Sequence, residues 1–266
     1  NDVQLEKLEY LRVMFIPRKI TNKLLASSSN LRTVILRNED PLSYDDLNYL
    51  PSEETIDVVK KYLKSNDKLY EMEVQGRANF YAFFHEDISG FMTCKLRRLT
   101  VKIEMPPERL TEAQEDNLLK LLETQKQSLD YIYIDKCGPR VIQKIFNDMP
   151  KLTTIRLDFE SQDVFDVATL NLAVNENITC FELAYVKPFD DLKKYLDLVP
   201  NVKEILISNM HPRLMEYASN LQYLESLVYR YDDCYGGCEA VYITLRHENP
   251  ELKNKKIKLT MCNDFL

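Results

Sequence analysis

Residues 128–158 read SLDYIYIDKCGPRVIQKIFNDMPKLTTIRLD, and one pattern occurs in them twice. Leu129, Ile132 and Ile134 form the first copy; Leu152, Ile155 and Leu157 form the second, 23 residues further on. Each copy is L-x-x-L-x-L with β-branched substitutes, and its last two apolar positions show the spacing of two that a one-sided strand requires. Between the copies Gly138-Pro139 punctuates the chain, and Val141, Ile142, Ile145 and Phe146 then recur at helical spacing. The stretch reads as strand, turn, helix, strand. A unit this short cannot bury its apolar face alone and must stack on copies of itself.

Working outward, the pattern returns along the chain. Leu8-Leu11-Val13, Leu31-Val34-Leu36, Leu69-Met72-Val74 and Leu96-Leu99-Val101 precede it. Ile178-Phe181-Leu183, Val202-Ile205-Ile207, Leu224-Leu227-Tyr229 and a degenerate copy around Ile257-Leu259 follow. Among the first nine copies, apart from intervals of 38 and 33 residues, successive starts lie 22 to 27 residues apart. The reading is a single domain spanning 1–266, of about ten irregular repeats, with longer inserted segments at 41–67 and 75–93.

The clearest intervening helix runs from Thr111 to Gln125. Thr111 and Gln114 have capping-box spacing, and Leu118, Leu119, Leu121 and Leu122 supply an apolar face. A second runs from Phe189 to Leu198 and stops before Pro200. Met149-Pro150 and Val199-Pro200 each precede a strand start, where proline ends a helix and favours extended backbone.

These motifs resemble the leucine-rich-repeat family over nearly the whole chain, and most intervals fit that family's 20–29 residues. The helical segments between strands are similar to the intracellular, ribonuclease-inhibitor-like and cysteine-containing subtypes. MPKLTTIRL and VPNVKEILI are similar to the C-P-x-L-x-x-L-x-L openings of F-box leucine-rich-repeat proteins. The chain departs from that pattern in lacking a regular Cys and the Asn/Cys after the third apolar residue. The resemblance implies an α/β leucine-rich-repeat solenoid, or horseshoe, with a parallel sheet on the concave face and helices on the convex face.

Two stretches stand apart from the repeat. Leu50-Pro51-Ser52-Glu53 superficially resembles an F-box opening, but its spacing is one residue off and it lies between repeats. It reads as an inserted helix starting near Ser52, with Glu53 and Glu54 favourable in the first turn. Residues 75–93 carry Phe80, Tyr81, Phe83, Phe84 and Phe91. That cluster reads as core of a helix-and-loop unit, with an exposed docking patch as the other reading.

Composition narrows function. Net charge is −7 with pI near 5.2, which argues against nucleic-acid backbone binding. No run of 18 apolar residues is present, so no membrane helix is expected. The first residues, NDVQLEKLEY, lack the basic-then-apolar order of a secretory signal, and the missing Met points either to a fragment of a longer chain, with a segment upstream of Asn1, or to a processed terminus. Cys94, Cys137, Cys180, Cys234, Cys238 and Cys262 are scattered and read as reduced, mostly buried thiols in an intracellular protein, cytoplasmic or nuclear. His85, His211 and His247 stand in no catalytic spacing, and no Gly-rich phosphate loop or metalloprotease signature is present. Cys234 and Cys238 in CYGGC read as a structural turn; a metal site there would need further ligands such as His247 and Cys262. No catalytic residue, cofactor or metal is expected.

If the L-x-x-L-x-L residues point inward, those between them line the concave sheet. The richest part holds Arg98, Lys102, Tyr131, Tyr133, Arg156 and Asp158. Tyr and Arg are the residue types most enriched at binding hot spots. Two readings stand: a site for an acidic or phosphorylated partner segment, or a cross-strand ladder that solvates the sheet. The chain is thus expected to be a non-enzymatic protein-interaction domain. Resemblance to F-box proteins implies substrate recognition for a ubiquitin ligase, joined to a Skp1-type adaptor through the upstream segment. The alternative is a free-standing regulator or scaffold that binds and masks a partner protein. Neither nucleic acid nor membrane is expected as a partner.

Overall fold

From Leu31 to Leu227 the apolar residues of each L-x-x-L-x-L row turn inward, while Leu8 and Tyr229 at the two ends are half-buried. In the computed structural model, Leu31, Val34 and Leu36 are at most 1% exposed, and Leu152, Ile155 and Leu157 are fully buried. The structure describes residues 7–14, 18–37, 52–84, 86–103, 110–135, 138–158, 169–184, 189–207, 212–218, 220–230, 238–245 and 255–262. The chain divides into two compact units, Asn1–Val141 and Ile142–Leu266.

The first unit contains β1 (Tyr10–Met14), α1 (Arg18–Ala26), β2 (Thr33–Arg37), α2 (Glu53–Ser65) and β3 (Glu71–Gln75). It continues with α3 (Arg77–Phe84), β4 (Arg98–Lys102), α4 (Glu112–Gln125) and β5 (Tyr131–Asp135). Each strand pairs in parallel with the next. In register, Leu11, Val34, Met72, Leu99 and Ile132 form one continuous buried row. A second row is Val13, Leu36, Val74, Val101 and Ile134. Each such side chain contributes about 1.5–3 kcal/mol by leaving water. The helices bury their own apolar stripe, as with Ile56, Val59, Tyr62 and Leu63 of α2 and Leu118, Leu121 and Leu122 of α4. The core therefore lies between helices and sheet, and the other strand face carries the residues that alternate with the buried rows, most of them half-exposed or exposed.

Local signals behave as chemistry dictates. Ser52 caps α2 by accepting from the Thr55 N–H, so the inserted segment here is a helix; Leu50 and Pro51 lie outside the described residues. Thr111 and Gln114 close a reciprocal capping box on α4. In the insert at 75–93, Gly76 takes φ 87°, open to glycine at little cost, and turns β3 directly into α3. Phe80, Phe83 and Phe84 of α3 are then buried, with Phe80 stacked on Phe84 at 4.9 Å, so these three are core, while Tyr81 and Phe91 are half-buried.

Buried amides tie consecutive repeats together. Asn66 donates to the Leu31 carbonyl at 2.9 Å and Asn117 to that of Phe84 at 3.1 Å. Gln125 accepts from the Leu96 N–H at 2.9 Å and donates to the Cys94 carbonyl at 3.2 Å. Each satisfies backbone groups that the bends between elements leave without a ladder partner.

The second unit holds most of α5 (Pro139–Asp148), then β6 (Thr154–Asp158), β7 (Cys180–Ala184), α6 (Phe189–Asp197), β8 (Glu204–Ile207), α7 (Pro212–Ala218) and β9 (Ser226–Arg230). Strands β6 to β9 are parallel neighbours in chain order. Phe146, Phe181 and Tyr195 pack together under them with centroids 6.1–6.3 Å apart. The degenerate last repeat is β11 (Lys255–Cys262), parallel to β9; β10 (Cys238–Leu245) pairs antiparallel on its outer side, so the unit ends in a hairpin. The fold is α/β of solenoid type, with nine successive strands parallel to their neighbours within each unit; among the described residues a helix follows each of the first eight except β6. No helix among the described residues is long and apolar enough to cross a membrane.

Candidate partner-binding face

The open face of the first unit is built by register. One row across the strands is Tyr10, Thr33, Glu71, Arg98 and Tyr131; the next is Arg12, Ile35, Glu73, Thr100 and Tyr133; the third is Met14, Arg37, Gln75 and Lys102. All of them alternate with the buried rows. This is why residues far apart in sequence share one surface: parallel pairing places position n of every repeat beside position n of the next.

Four of the six expected site residues meet here. Arg98 places its guanidinium over the Tyr131 ring, 4.1 Å from the centroid, and its Nε donates to Glu71 Oε1 at 3.1 Å. Lys102 Nζ stands 5.0 Å from the Tyr133 centroid. Tyr131 is half-buried, whereas Tyr133 is only 5% exposed and forms the floor beneath Lys102. Asp135 shares this face by period but is buried: both its carboxylate oxygens accept from the Ile103 N–H, at 2.7 and 2.8 Å. Arg156 and Asp158 belong to the second unit. Arg156 Nε pairs with Glu182 Oε1 at 2.9 Å across β6 and β7, and Asp158 is half-buried at the end of β6.

The electrostatics of the first face run against those of the chain. Arg37 is paired with Glu73 at 2.6 Å and Arg98 with Glu71. Arg12 and Lys102 have no ion-pair partner among the described residues. An acidic chain therefore carries a small basic excess on this surface. Sequence reasoning missed a fourth row at the strand entrances: Glu9, Arg32, Tyr70, Arg97 and Asp130, joined by successive N–H to carbonyl bonds of 2.7–2.9 Å. Tyr70 is 44% exposed there between two arginines, with Arg97 bonded to Asp130. The first x of L-x-x-L-x-L was the available signal.

Nucleophile chemistry finds no support in the described thiols. Burial pushes the Cys94 thiol up to about 11; burial and the neighbouring Glu204 push Cys180 up to about 12. Both stay protonated at neutral pH. Among the described residues no group of three His, Cys, Asp or Glu side chains is placed to hold a metal ion. Cys234, His85, His211 and His247 lie outside the described residues, so the CYGGC turn is not among them as a whole. No protein-family model and no curated protein matches this chain.

Proposed function

We propose that this chain is a non-enzymatic protein-interaction domain that holds an acidic or phosphorylated segment of a partner on the open sheet face of its first unit. The observation that carries this reading is the pair of cation–aromatic stacks on adjacent strands, Arg98 on Tyr131 and Lys102 on Tyr133. A guanidinium held over a ring keeps outward N–H groups for a carboxylate or phosphate, and the ring adds apolar area at low entropic cost. Lys102 and Arg12 supply the charge excess that attracts such a segment.

Resemblance to F-box leucine-rich-repeat proteins extends the proposal to substrate recognition in a ubiquitin ligase. The alternative is a leucine-rich-repeat regulator that masks one partner. Affinity capture run side by side with wild type, an Arg98→Ala/Lys102→Ala double variant and an Arg213→Ala control distinguishes them. Arg213 lies on α7 of the second unit and belongs to none of the strands that carry these stacks. The binding face is supported if the double variant alone loses prey while keeping its melting temperature; equal capture by all three overturns it. A Skp1-type adaptor and cullin among the prey favour the ligase, and one stoichiometric partner without them favours masking.

A further inference from the structure

The hairpin that ends the second unit places two cysteines opposite one another. Strands β10 and β11 pair antiparallel over eight positions, and the pair at one end of the ladder is Cys238 with Cys262. Directly opposed residues in such a ladder have Cα atoms about 4.5–5.5 Å apart. A disulfide needs about 4.4–6.8 Å, so the backbone meets the requirement without moving. On its other side Cys262 is in register with Arg230 of β9. Cys262 is also an even number of positions from Lys258, whose side chain is exposed, and so shares its face register. Cys94 and Cys180 are buried and half-buried, with no cysteine in register.

We propose that Cys238 and Cys262 form a reversible cross-strand disulfide that staples the closing hairpin, made by exchange with a low-molecular-weight disulfide of the glutathione type. The Cys262 thiolate attacks one sulfur of oxidised glutathione, forming a mixed disulfide and releasing one glutathione thiolate. The Cys238 thiolate then attacks the Cys262 sulfur, forming the protein disulfide and expelling the second. Two protein thiols lose two electrons and two protons; oxidised glutathione takes them up as two thiols.

The test uses the whole chain in glutathione buffers of rising oxidised fraction, quenched with acid, alkylated and peptide-mapped by mass spectrometry. The expected product is one peptide pair joined through Cys238 and Cys262, short of two hydrogens and separated by dithiothreitol. The melting temperature should rise with its formation. In Cys238→Ser the pair should vanish and Cys262 should carry glutathione. Recovery of both cysteines as alkylated thiols or as separate glutathione adducts would falsify the staple, and so would a Cys234–Cys238 bond in its place. Mapping the wild-type chain decides this even if the variant folds poorly.

Discussion

The Arg98 guanidinium lies over Tyr131 at 4.1 Å while its Nε holds Glu71 at 3.1 Å, so one side chain links three adjacent strands. All three partners are half-exposed, and exposed ion pairs and cation–aromatic contacts are each worth about 1 kcal/mol or less. Leu99, next in sequence, is fully buried. Arg98→Ala and Tyr131→Ala should therefore each cost about 1 kcal/mol or less in urea denaturation. Leu99→Ala should cost about 2–5 kcal/mol. A cost for Arg98→Ala matching that of Leu99→Ala would make the stack a structural clamp and remove the case for a binding role.

The aromatic insert allows a sharper contrast. Phe84 is fully buried, stacked on Phe80, and its carbonyl accepts from the Asn117 amide of α4. Phe84→Ala should destabilise the first unit by about 3–5 kcal/mol, because the cavity sits where two helices and the sheet meet. Tyr81, on the half-exposed side of α3, should tolerate alanine at about 1 kcal/mol. Similar losses at both positions would mean that α3 is held by its surface rather than its core.

Some of this was legible in the residues and some was not. Val34 and Leu36 declare themselves because burial of a strand face follows a local period of two. The Thr111–Gln114 box declares itself because both partners lie within one helical turn. Arg12, Thr100 and Tyr133 occupy the same position in their repeats, yet Arg12 is exposed and Tyr133 buried. The period fixes the face, but the size and charge of the neighbouring strand fix the depth. Strand β10 went unnoticed for a related reason: CEAVYITL lacks L-x-x-L-x-L, and its antiparallel pairing with β11 is a non-repeat feature. The buried amides Asn66, Asn117 and Gln125 bond to carbonyls 31 to 35 residues away, a distance no local pattern encodes.

Asp135 is the polar residue on which the β4 terminus depends. Its carboxylate is buried and receives the Ile103 N–H between its two oxygens. Removing an acceptor from a buried donor costs about 1–3 kcal/mol. Asp135→Ala should lose that amount, and Asp135→Asn, which keeps one oxygen, should lose less. Amide hydrogen exchange at Ile103 provides the local readout: it should speed up in Asp135→Ala beyond what the global loss explains. Exchange at Ile103 that merely follows global stability would show that the bond contributes nothing locally.

Glu115 should make stability fall with rising pH in the mildly acidic range. Its Oε1 lies 2.4 Å from where a Cβ on Gly138 would stand, so the carboxyl is wedged between α4 and the start of α5. Burial raises its pKa above the ordinary glutamate value; Arg140 opposes this, while Asp116 and Glu112 add to it. The native chain therefore holds a proton at pH values where the unfolded chain has released it. Stability contributed by that proton is complete below the ordinary value and is lost as pH rises through the raised one. The Arg140 pair offsets little, since Arg140 is half-exposed and also bonded to Asp116. Glu115→Gln should raise the urea midpoint relative to wild type at neutral pH, and the gain should vanish about one unit below the ordinary glutamate value. A Glu115→Gln variant that is less stable at neutral pH would show that the ion pair with Arg140 outweighs the burial of the carboxylate.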